Sequence, residues 1–218
     1  METQKLVVII PALNEARTIT DVIKKIPERF DGIRETEIIV VDDGSTDETA
    51  QLARAAGATV VSHQQNLGVG AAFHTGLLAA LAASADIIVN IDADGQFNPA
   101  DIPALITPIQ ENKAGFVTTT RFRKAEFKPD MPEVKRWGNK MMTHLINTLT
   151  GKRFTDVSCG FRAYSRDTAL KLTLFGKFTY TQETFIDLAF KEVTMKEIPL
   201  KVRGEREFGE SRVASNLW

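Results

Sequence analysis

A chain of 218 residues, 43% hydrophobic and 25% charged, has room for one sizeable α/β domain and the composition of an ordinary globular protein. Its formal net charge of −1 offers no global attraction for nucleic acid or an anionic membrane, so any preference for anions has to come from local basic clusters. The one cysteine, Cys159, excludes an intrachain disulfide, and no apolar run reaches the ~18 residues that would span a bilayer. With no signal-peptide pattern at the start, a reducing cytosolic setting is expected.

Along the chain, residues 6–10, 38–41, 59–62, 87–91 and 116–119 read as short buried strands bounded by Pro, Gly, Asp and Asn. Helical stretches lie between them. Ser45 and Glu48 form a capping-box pattern ahead of an Ala-rich run to Ala56, and residues 77–83 are strongly helix-forming. Strands alternating with helices predict crossover units and a mostly parallel, doubly wound sheet. Ligands in such sheets sit beyond the carboxyl ends of the strands. That rule singles out the turns at residues 11–15, 42–45, 63–70 and 92–96.

The second half differs. Residues 132–149 set Trp137, Met141, Met142, Leu145 and Ile146 beside Lys135, Arg136 and Lys140, an amphipathic helix with a basic edge. A strand at 161–164, a helix at 182–191 and a strand at 196–202 follow, the last an edge strand because it contains Pro199. No repeat or linker divides the chain, so residues 1–218 read as a single domain. Residues 211–218 read as the opening of another element, and the chain is expected to continue beyond Trp218.

Asp92-Ala93-Asp94-Gly95-Gln96 is the sharpest chemical feature. It follows the apolar run Ile87-Ile88-Val89-Asn90-Ile91, and side chains at i and i+2 of an extended segment point the same way. Two carboxylates so placed repel unless a cation sits between them. Hard oxygen ligands suit Mg²⁺ or Mn²⁺, with substrate phosphates completing the shell; Gln96 offers a carbonyl oxygen or a contact to metal-bound water. An Asp-rich turn ahead of a helix near Pro99 would look the same in isolation. Asp42 and Asp43 end the second strand, where an acidic residue can accept hydrogen bonds from ribose or base. In the first turn Asn14 has the chemistry of a helix cap, and Glu15 sits where a helix N-terminus favours its charge. His63, His74 and His144 lack metal-ligand spacing, and Cys159 reads as a small packed side chain rather than a reactive thiol. Gly68-Val69-Gly70 hints at a dinucleotide fingerprint, but Phe73 stands where its third glycine belongs.

Together, residues 8–15, 41–47 and 92–96 resemble the three nucleotide-sugar motifs of family 2 glycosyltransferases. Thr120-Arg121-Phe122, the 156–162 segment, Glu183 and the 206–212 segment resemble a narrower group, the dolichyl- or polyprenyl-phosphate mannose and glucose synthases. The resemblance implies a GT-A fold, with residues 1–120 as nucleotide-sugar half and 121–218 as acceptor half. It places Pro11, Asn14, Glu15, Asp42 and Asp43 around the nucleoside, and Asp92, Asp94 and Gln96 on a divalent metal at the diphosphate. It places Arg121 and Arg206 on the phosphates of donor and acceptor, with Arg136, Ser211 and Arg212 as further acceptor contacts. The position after Gly68, where lysine is common in the family, is Val69, so no phosphate contact is assigned there.

The expected reaction is inverting transfer of a hexose from GDP-mannose or a UDP-sugar to a polyprenyl phosphate, at the cytoplasmic face of a membrane. A phosphate monoester is largely ionised near pH 7, so such an acceptor needs no general base, and Glu183 is the one residue that could still serve as one. The alternative acceptor is a sugar hydroxyl, with Glu183 or Asp156 as base. A nucleotidyltransferase would want a glycine-rich loop with a basic residue straight after the first strand, which residues 11–15 do not provide.

Overall fold

The apolar run near the start of the chain becomes the central strand of a sheet. The computed structural model of the chain describes residues 4–129, 131–174, 176 and 180–203. β1 (Gln4–Ala12) has β2 (Ile33–Asp42) on one side and β4 (Ile87–Asn90) on the other, both parallel to it. Strands covered on both faces read as continuous apolar runs, and residues Leu6, Val7, Val8, Ile9 and Ile10 are all fully buried. β3 (Thr59–Ser62) adds to β2 in parallel. On the far side of β4 come β6 (Arg162–Ser165), β5 (Phe116–Thr120) and β7 (Met195–Pro199), giving the order β3-β2-β1-β4-β6-β5-β7. β6 is antiparallel to both of its neighbours, while β7 is parallel to β5. The sheet is therefore mostly parallel, as expected. Pro199 ends β7 at the sheet edge, where a missing N–H donor costs nothing.

Seven helices cover the sheet: α1 (Ile19–Lys24), α2 (Thr49–Ala55), α3 (Val69–Ala82), α4 (Ile102–Gln110), α5 (Glu133–Thr150), α6 (Arg166–Lys171) and α7 (Tyr180–Phe190) among the described residues. The two-residue period of β1 divides the core. Leu6, Val8 and Ile10 pack with Ile19 and Val22 of α1 and Leu105 of α4. Val7 and Ile9 pack with Phe73 and Leu77 of α3 and Phe185 of α7. α5 is the exception, since only Thr143 and Ile146 of its 18 residues are buried.

Two local expectations are corrected. Ser45 and Glu48 do not make a capping box: the N-cap of α2 is Glu48, without a side-chain cap bond, and the Ser45 hydroxyl instead accepts from the Asn14 backbone. Nor does Asn14 cap α1, which begins at Ile19; its side chain serves the second turn. In both cases a tertiary partner outcompetes the local one.

Strand order reverses at β1, whose sequence neighbour β2 and later strand β4 lie on opposite sides. The carboxyl ends of β1 and β4 thus flank the crevice where ligands of doubly wound sheets bind.

Candidate active site

At the ends of β1 and β2 the predicted residues are knitted together. Pro11 is buried and in register with Val41. Asn14, at φ 51, donates its backbone N–H to Ser45 Oγ at 2.8 Å and accepts from the Thr46 N–H at 2.7 Å through Oδ1. A left-handed backbone is tolerated by asparagine better than by most residues. The Glu15 N–H donates to Thr49 Oγ1 at 2.8 Å. Asp42 accepts from the Ser45 N–H at 3.1 Å. Asp43 is buried and engaged through both oxygens: Oδ1 meets His63 Nδ1 at 2.7 Å and the Leu67 N–H at 2.9 Å, and Oδ2 accepts from the Gly68 N–H at 2.9 Å. It ties the second turn to the 63–68 loop. Gly44 makes that approach possible, at φ +74 and with a hypothetical Cβ only 2.5 Å from the Gln65 backbone carbon.

At the end of β4, Asp94 is 5% exposed and accepts the Gln96 N–H at 3.0 Å through Oδ1. The Gln96 carbonyl accepts from the Arg203 N–H at 3.1 Å. Asp92 is partly exposed, and the chain at Gly160 runs directly against it: a Cβ there would lie 2.6 Å from Oδ2 and 2.8 Å from Oδ1. The missing side chain keeps the space at that carboxylate clear. Among the described residues no three His, Cys, Asp or Glu side chains gather into a self-contained metal cage. This arrangement fits Mg²⁺ or Mn²⁺, which take one or two carboxylates and fill the remaining positions with water and substrate phosphate.

Arg121 stands beyond the end of β5. Its Nε donates to Asp156 Oδ2 at 2.7 Å and its Nη2 to Asp156 Oδ1 at 3.0 Å and Ser158 Oγ at 2.7 Å. Burial works against the guanidinium charge, but Cys159, Asp156 and Asp92 together hold its pKa above the ordinary arginine value. The influence of Asp92 puts Arg121 and the end of β4 in one electrostatic neighbourhood.

Asp156, wholly buried, belongs to a loop braced from several sides. Glu197 of β7 accepts from the Thr155 N–H at 2.9 Å, Thr155 Oγ1 at 2.7 Å and the Asp156 N–H at 3.0 Å. Arg162 donates to the Cys159 carbonyl at 2.7 Å, its guanidinium carbon 4.8 Å from the centre of the Phe185 ring. Asn90 donates to the Gly160 carbonyl at 2.7 Å. Burial pushes the Cys159 thiol up to about 12, with the Asp156 charge adding to the effect, in keeping with a packed side chain.

Glu183 lies in the first turn of α7 and accepts from the Gly176 N–H at 2.9 Å. Arg136 is exposed on α5. Arg206, Ser211 and Arg212 lie outside the described residues. Gly160, Glu197 and Asn90 were not singled out in the sequence. Asn90 leaves a usable signal, a lone amide inside the apolar run of β4. Glu197 leaves none, because its partners are some 40 residues away.

The family model for "Glycosyl transferase family 2" matches residues 7–172. An uncharacterised protein of Methanocaldococcus jannaschii is 33% identical over 90% of this chain and 81% of its own length. A UDP-N-acetylglucosamine–dolichyl-phosphate N-acetylglucosaminyltransferase of Methanococcus voltae is 30% identical over 92% of this chain and 86% of its own. Among solved structures, glucosyl-3-phosphoglycerate synthase of Mycobacterium tuberculosis with Mn²⁺, UDP and glucosyl-3-phosphoglycerate superposes with a TM-score of 0.74 at 27% identity. It covers 94% of this chain and 73% of that one.

Proposed function

The chain belongs to glycosyl transferase family 2 and has a GT-A fold, and from that premise we propose that it transfers a hexose from GDP-mannose or a UDP-sugar to a polyprenyl phosphate of the dolichyl type, inverting the anomeric carbon. Residues 1–120 form the nucleotide-sugar half and residues 121–218 the acceptor half of a single domain. Pro11, Asn14, Glu15 and Asp42 surround the nucleoside, and Asp43 serves it by holding the 63–68 loop in place. Asp92, Asp94 and Gln96 hold Mg²⁺ or Mn²⁺, which when bound supplies Lewis-acid stabilisation to the departing nucleoside diphosphate.

Arg121 orients the donor and acceptor phosphates, with Arg206, Arg136, Ser211 and Arg212 completing the acceptor side. Asp156 holds its guanidinium in place, which matters here because two anions must be held close together, and a pre-positioned cation costs no reorganisation at the moment of reaction. A lipid phosphate arrives ionised, so the nucleophile needs no proton removed, and Glu183 is left to organise the start of α7.

One observation carries the lipid acceptor. On α5, Val134, Trp137, Met141, Leu145 and Leu149 form a stripe at helical spacing, each at least 50% exposed. Arg136 and Lys140 flank it, the composition of a helix lying in a membrane interface. No described helix is long and apolar enough to cross a membrane; the contact proposed for α5 is peripheral, at the cytoplasmic face. The similarity to a dolichyl-phosphate sugar transferase supports the same acceptor.

A hydroxyl acceptor is the second reading, favoured by the likeness to a synthase seen with phosphoglyceric acid. The deciding assay offers labelled nucleotide sugars, with Mn²⁺, to polyprenyl phosphate, phosphoglycerate and a free glycan separately. Label recovered in the lipid phase is the expected result; transfer to phosphoglycerate or a glycan alone would establish the second reading.

A further inference from the structure

We infer that the protein has a second anion site, a phosphate-ester cleft outside the donor crevice, walled by Arg123, Lys152, Arg153 and Lys196 on the outer side of β7. The cleft has a volume of about 280 Å³, with Phe154 and Glu197 completing its lining together with Met195. Ligand pockets for drug-sized molecules run from about 300 to 1,000 Å³, so this one suits a phosphate or a small headgroup and is too small for a nucleotide sugar.

Among its described lining residues, cations outnumber carboxylates four to one. The four cations come from three separate segments: the turn after β5, the loop after α5, and β7 itself. Among the described residues none of them forms an ion pair, although six such pairs occur elsewhere in those residues. The one carboxylate among the described lining residues, Glu197, points its oxygens inward to Thr155 and Asp156. Arg123 is fixed by a 3.1 Å bond from Nη1 to the Glu197 carbonyl, which leaves its other nitrogens for a ligand. Phe154 is buried and anchored, donating its N–H to Asn147 Oδ1 at 2.8 Å and accepting from Asn147 Nδ2 at 2.9 Å through its carbonyl. A lysine on an edge strand commonly guards it against aggregation. That accounts for Lys196 but not for Arg123, Lys152 and Arg153 on the same cleft lining. Guanidinium and ammonium groups gathered in one cleft are how proteins bind phosphate oxygens.

The anion can come from solution or from a lipid. Lys152 and Arg153 directly follow Gly151, the C-cap of α5, whose last turns expose Leu145 and Leu149. A headgroup beside that helix is therefore within reach, and so is a free phosphate.

The test compares the wild type with the Lys152→Ala/Arg153→Ala double variant and with Lys196→Glu, all at exposed positions. Inorganic phosphate binding is followed by calorimetry at low salt with the donor crevice saturated by nucleoside diphosphate and Mn²⁺. Flotation with phosphatidylglycerol vesicles, against phosphatidylcholine vesicles, reads the lipid source. The expected result is binding in at least one arm that weakens about tenfold or more in both variants, with nucleoside diphosphate affinity unchanged. Loss confined to the vesicle arm assigns a lipid headgroup, and loss in the phosphate arm a soluble ester. Absence of binding in both arms, or variants equal to wild type, would overturn the site while leaving the proposed transfer reaction untouched.

Discussion

The wholly buried Asp156 carboxylate grips the Arg121 guanidinium at two points, 2.7 Å from Nε and 3.0 Å from Nη2. Removing one partner of a buried pair strands the other charge, which costs roughly 3–5 kcal/mol. Asp156→Asn is expected to lower the unfolding free energy by about 3 kcal/mol, seen as a lower urea midpoint, and to reduce transfer. A midpoint equal to wild type would show that the pair contributes nothing to the fold.

Gly160 and Asp94 test the proposed metal site from two directions. Asp94→Ala removes a carboxylate, and should abolish transfer and the dependence of nucleoside diphosphate binding on Mn²⁺ or Mg²⁺. Gly160→Ala leaves every carboxylate in place but puts a Cβ where Asp92 Oδ2 lies 2.6 Å away. It should weaken Mn²⁺-dependent nucleotide binding about tenfold or more, since a carboxylate moved off its position loses a charge-assisted contact. Full activity in excess EDTA would remove the metal from the proposal.

Glu197 makes stability depend on pH. Burial raises its carboxyl pKa, and hydrogen bonds from Thr155 and Asp156, with the charge of Arg123, only partly offset that. An acid with a raised folded pKa holds its proton more tightly when folded. Its stabilising contribution is complete below the unfolded glutamate value of about 4.3 and is lost as pH rises through the higher folded value. Glu197→Gln has no such titration. The stability of wild type minus that of the variant should therefore fall with rising pH across the weakly acidic range; a difference flat with pH would contradict the assignment.

Cys159 is expected to be chemically silent. With its thiol pushed up to about 12, only about one molecule in 100,000 carries the reactive thiolate near pH 7. A thiol-disulfide reagent should therefore find no reactive group in the native protein and one per chain in denaturant. Rapid native labelling would place Cys159 in contact with solvent.

What the sequence determined by itself was whatever chemistry is local. The apolar runs fixed β1, β2 and β4, because a strand buried on both faces can hold little else. The aspartates at their ends located the crevice, because strand ends in parallel sheets are where ligands meet polar side chains. Tertiary structure decided the rest by supplying partners distant in the chain. Ser45 reads locally as a cap, yet it serves Asn14, 31 residues away. Asp43 reads as a free ligand group, yet it is committed to the 63–68 loop. Nothing local marks Gly160, and only the fold brings its backbone against Asp92. Glu197 sits in an edge strand with no local sign of its role, because a hydrogen-bond brace is defined by both of its ends, and one of them is 41 residues upstream.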